Sequence, residues 1–147
     1  MAGLAAEAVC WLATGEHEKT ANAVGEIIRR GPVAVHGAVL GWSRYTHDVM
    51  TGGQEAAPGE MWAMGVASAD TGEEVGADAL GTPALKGAVA LLTCAANSDH
   101  GSIEAIISAA IDGGGAEALG TLMLQCLNFA AAAALEAHGE EEVPSGG

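Results

Sequence analysis

Apolar residues recur along this chain at helical rather than strand spacing. Val35, Val39, Trp42 and Val49 stand at +4, +7 and +14, which draws one stripe along a helix over residues 33–50. Ile103, Ile106, Ile107 and Ile111 keep core spacing over 103–111, and Val24, Ile27 and Ile28 do so over 19–30. A shorter run over 4–14 offers Leu4, Ala8, Trp11 and Leu12 to one side. Two segments, 84–96 and 116–138, are apolar nearly all round, which predicts burial in the middle of a bundle. A further short helix is expected over 60–69, carried by Met61, Trp62, Met64 and Val66. β-branched residues nowhere alternate for long, so strands are not expected.

Glycine, proline and small polar residues punctuate these runs. Gly15 ends the first helix. Gly31-Pro32 joins a left-handed stop to a proline suited to the first turn of the next helix. Thr82-Pro83 pairs a capping hydroxyl with proline at the first helical position, Asn97 closes that helix, and Ser102 caps the next, with Asp99 and His100 at its terminus. Residues 51–59 and 70–81 are rich in glycine and predict exposed loops, Gly113 to Gly115 predict a hinge, and Gly139 a final stop. These signals give an all-α, single-domain bundle of six or seven helices over 1–139, followed by a flexible acidic tail over 140–147.

One internal echo bears on architecture. Residues 76–82 read Gly-Ala-Asp-Ala-Leu-Gly-Thr and 115–121 read Gly-Ala-Glu-Ala-Leu-Gly-Thr, six of seven letters repeated after 39 positions. Such a period fits stacked helix-pair units, although an alanine- and glycine-rich composition also produces short matches by accident.

Charge narrows the partners. The net charge is −14, and residues 1–44 carry four acids and four bases whereas 45–147 carry fifteen acids and only Lys86. Such a chain repels phosphate backbones and anionic bilayers, so neither direct nucleic-acid binding nor membrane attachment is expected. The uncharged run over 118–135 is interrupted by Thr121, Gln125 and Asn128 and flanked by Glu117 and Glu136, so it reads as a buried helix rather than a span. Cys10, Cys94 and Cys126 are odd in number, far apart and set among apolar neighbours; they read as small buried hydrophobes in a reducing, cytoplasmic setting.

Candidate chemistry centres on the helix of Trp42. His36, Leu40, Ser43 and His47 share a face, with Arg44 and Asp48 alongside, so a binding site built from His36, Trp42, Arg44, His47 and Asp48 is the best constellation available. The histidines lie roughly 16 Å apart along the axis and cannot share one metal ion. Arg44 and Asp48 are spaced as an ordinary i,i+4 ion pair. Ser43, His47 and Asp48 do not make a triad, because adjacent residues on a helix diverge by about 100°. His100 and Glu104 are spaced to bind together but have no further partner ligand, and Gly115-x4-Gly120-Thr121 lacks the lysine and the preceding strand of a phosphate loop. No catalytic residue, metal or cofactor is therefore expected. The function expected is a non-enzymatic interaction or scaffold module that binds a protein partner or itself. Leu124, Leu127 and Ala131 would be its homo-oligomer seam, with Gly120 permitting close approach. The alternative is a domain that takes a small apolar molecule between helices, bordered by Trp42, Trp62 and methionines.

Overall fold

The computed structural model describes residues 3–52, 66–67, 74–75 and 83–142, with side chains over 3–52 and 83–137. The described residues form five helices: α1 (Gly3–Ala13), α2 (His17–Arg29), α3 (Pro32–Thr51), α4 (Pro83–Ala96) and α5 (His100–Glu142). Between α3 and α4, β1 (Val66–Ala67) pairs antiparallel with β2 (Glu74–Val75). The expected helix over 60–69 is thus corrected at Val66 and Ala67, where valines opposite one another suit a pleated pair better than a glycine-rich sequence suits a helix. The rest of that segment, Trp62 included, lies outside the described residues. So does the 76–82 half of the echo.

The corners are closed by backbone hydrogen bonds. After α1, the Glu16 N–H donates to the Trp11 carbonyl (2.7 Å) and the Gly15 N–H to Leu12 (3.1 Å), with Gly15 at φ +83°. This double closure consumes carbonyls that a helix end leaves unpaired. At Gly31, φ is +103° and Pro32 opens α3, as the Gly-Pro pair predicts. After α4 the same closure recurs: Ser98 N–H donates to Ala95 (3.1 Å) and Asp99 N–H to Cys94 (2.8 Å). Here the left-handed position is filled by Ser98, at φ +57°, one residue beyond the expected stop at Asn97.

Asp99, rather than Ser102, begins α5. Its carboxylate accepts from the Ser102 N–H (3.2 Å) and the Ser102 hydroxyl (2.6 Å). The two helices expected over 103–111 and 116–138 run on as α5, and only Gly115 leaves helical geometry, at φ +67° and ψ −153°. Gly113 and Gly114 stay helical, so the expected three-residue hinge is a one-residue bend dividing α5 into residues 100–114 and 116–142. Among the described residues there are thus five helices, or six when the two arms of α5 are counted apart.

α5 packs against each of the other four helices. Beyond the bend it buries Leu119, Leu122, Met123, Cys126, Leu127 and Ala130. It is this helix, not α4, that runs through the middle; α4 buries one face through Ala88, Leu91, Leu92 and Ala95 and leaves Lys86 in water. An 18-residue window of α5 has mean hydropathy 1.6, long and apolar enough to cross a membrane by length and composition, and half of it is buried among the other helices. That half-burial is what a core helix requires.

Candidate functional site

The row of side chains singled out on α3 is divided by its own helix. Trp42 is fully buried, and its Nε1–H donates to the Ala5 carbonyl of α1 at 3.0 Å. The indole is a core anchor whose polar atom is satisfied within the chain. His47 is 7 % exposed while Asp48 beside it is exposed, so the two do not cooperate across the divergence that helical geometry imposes. Arg44 is exposed and its Nη2 reaches the Ser98 hydroxyl (3.4 Å); among the described residues it makes no ion pair with Asp48. Ser43 is fully buried, and its Oγ finds no hydrogen-bond partner among the described residues.

His36 does gain a neighbour that spacing along α3 does not reveal. Its ring stacks on that of His100 at the start of α5, with centroids 5.8 Å apart and planes 25° from parallel. The pair, together with Arg44–Ser98, joins α3 to the α4–α5 corner. The Asp99 carboxyl beside it is held below its ordinary range by the Ser102 hydroxyl, then by the Ser102 backbone N–H, and least by His100. Among the described residues no three histidine, cysteine, aspartate or glutamate side chains come together as a metal site.

The cysteines separate by depth. Cys126 is buried in the core, and burial pushes its thiol up to about 12; Cys94 is half-buried and also raised by burial, then by Asp99. Cys10 is exposed, against the sequence expectation, because α1 turns Ala8 and Val9 inward and so carries position 10 round to water. Beyond the bend at Gly115 the glycine pattern to Thr121 forms helix rather than a loop: Thr121 Oγ1 donates to the Glu117 carbonyl (3.0 Å), and a Cβ on Gly120 would lie 3.8 Å from Ile28 Cδ1. No backbone cradle is left there for a phosphate.

An opening lies elsewhere among the described residues. A groove of about 790 Å³ runs between the first turns of α4 and the bend of α5. Pro83, Ala84 and Gly87 form one wall, and Ile106, Ala110, Gly113, Gly114 and Ala118 the other. Leu122 forms its floor beneath Gly87, where an added Cβ would meet Leu122 Cδ1 at 2.8 Å. Glu117 and Thr121 are the polar members of the lining, and Pro83, Ala109, Gly113 and Gly114 are exposed, so the groove opens to solvent. Among the described residues no Trp or Met lines it; Trp62, Met61 and Met64 lie outside them. A sequence signal was present in the glycine triplet beside the bend, but a triplet marks a hinge and says nothing about which helix fails to fill the angle. Comparison with known protein families, curated proteins and solved structures gives no match to this chain.

Proposed function

We propose that the protein is a non-enzymatic interaction module, acidic and cytoplasmic, whose contact face is the groove between α4 and the bend of α5. One observation carries this reading: a 790 Å³ opening with an apolar, small-residue lining, open to solvent, and without the several convergent polar groups that orient a substrate. Glycine and alanine walls let a partner's backbone come close, as when an amphipathic helix lies in a groove. The seam expected at Leu124, Leu127 and Ala131 supports no interface, because Leu127 and Ala131 are buried and Leu124 packs on the core within one chain. Self-association, if it occurs, uses another surface. A second reading, capture of a small apolar molecule, is favoured by the volume alone, which falls in the range of ligand pockets.

A photocrosslinking residue at Ala109, on the rim, tests the proposal against one at Val33, which is 87 % exposed on α3. Discrete protein adducts from position 109 and not from 33, in the native host, are expected. Adducts equally from both positions, or from neither, overturn it.

A further inference from the structure

Three glycines meet at the bend, and two of them are explained within the chain. Gly115 needs a backbone that other residues avoid, and a Cβ on Gly114 would lie 2.6 Å from the Ala118 Cβ. Gly113 is neither: its φ is not positive, and nothing lies within 4 Å of the Cβ it lacks. A helical glycine is less favourable than alanine, yet here it keeps one wall of the groove low where none of the described residues uses the space. An approaching backbone does make use of it.

Charge selects among occupants. Glu117 is the one ionisable side chain in the lining, while the sequence after Arg44 holds fifteen acids and a single base, Lys86. A second copy would bring another −14 against a chain already at −14. Resting on the interaction function proposed above, we infer that the occupant of the α4–α5 groove is a cationic amphipathic helix. Its apolar face lies over Gly113, Ile106 and Leu122, and its flanking Lys or Arg residues face Glu117.

The test uses the full chain and two labelled fourteen-residue helical peptides of leucine with lysine or leucine with glutamate, followed by fluorescence anisotropy and by methyl NMR of Ile106 and Leu122. The Leu/Lys peptide is expected to bind and shift both methyl groups. Gly113→Trp, which projects into open space, should weaken it at least tenfold, whereas Val33→Trp leaves it unchanged. Glu117→Lys should weaken it severalfold at low salt, with the difference shrinking as salt rises. Binding undiminished by Gly113→Trp overturns the inference as diffuse attraction between opposite charges. Equal binding of the Leu/Glu peptide, or self-association abolished by Gly113→Trp, also overturns it while leaving the interaction function standing. No movement of either methyl group with either peptide, together with a monomer in light scattering, removes both.

Discussion

The core around Trp42 and the groove at the α5 bend are built from the same alanine- and glycine-rich stock and reach opposite ends. Around Trp42, α1, α3 and α5 converge, so small residues bring backbones together and one large side chain fills what remains. At the bend, α5 swings at Gly115, and small residues leave a gap because no large side chain answers them. Smallness is thus neither a packing device nor a binding device in itself. Which one it becomes depends on whether a neighbouring helix stays parallel.

Trp42→Ala should break the closed half of this contrast most severely. It opens a cavity where burial is complete and takes the indole N–H away from the Ala5 carbonyl, and a loss of about 3–5 kcal/mol is expected in urea unfolding. Ile106→Ala, in the groove wall, is half-buried already and should cost clearly less. A wall residue as costly as Trp42 would mean that the groove belongs to the core.

The two glycines that flank the bend should respond in opposite directions. Gly115→Ala forces a side chain into φ +67°, ψ −153°, a region essentially reserved for glycine, and should destabilise by about 1–3 kcal/mol. Gly113→Ala meets nothing and should stabilise by about 0.5–1 kcal/mol in the same assay. If both substitutions destabilise, Gly113 has a structural duty within the chain and its openness is not spare.

The smallest effect concerns the α4–α5 corner. The Asp99 carboxyl is held low by the Ser102 hydroxyl and N–H, so the folded state favours its charged form. Its contribution to stability is present in full above the ordinary aspartate range and is lost as pH falls through the lowered folded value. Asp99→Ala should therefore be less stable than the parent at pH 7 and converge with it in strong acid. Parallel pH profiles for the two proteins would show that the cap carries nothing.

Much of this was legible before any coordinates. Gly31-Pro32 marks its corner because the two residues have complementary backbone restrictions, and the Val35–Val39–Trp42 stripe marks the inward face of α3. Periodicity tells which face is apolar but not what covers it, so it offers Trp42 to a site although α1 accepts its indole N–H. The Ser98 corner was set one residue early because serine gives no hint of a left-handed backbone. His36 and His100 lie 64 positions apart, and their stacking depends on how α3 meets α5. The groove could not be read at all: empty space is a relation between helices and belongs to no residue.

The position of α5 has a consequence for how the chain comes into being. Its arm beyond Gly115 supplies Leu119, Met123, Leu127 and Ala130 to the core, yet these are translated after every helix they cover. α1, α2 and α3, joined by turns that close through neighbouring carbonyls, can take local shape as they emerge from the ribosome. Val39 and Trp42 then wait without their α5 cover until the stretch around residue 130 is out. The core of this bundle is thus completed only once α5 has emerged, and until then the nascent α1–α3 carry an uncovered apolar face.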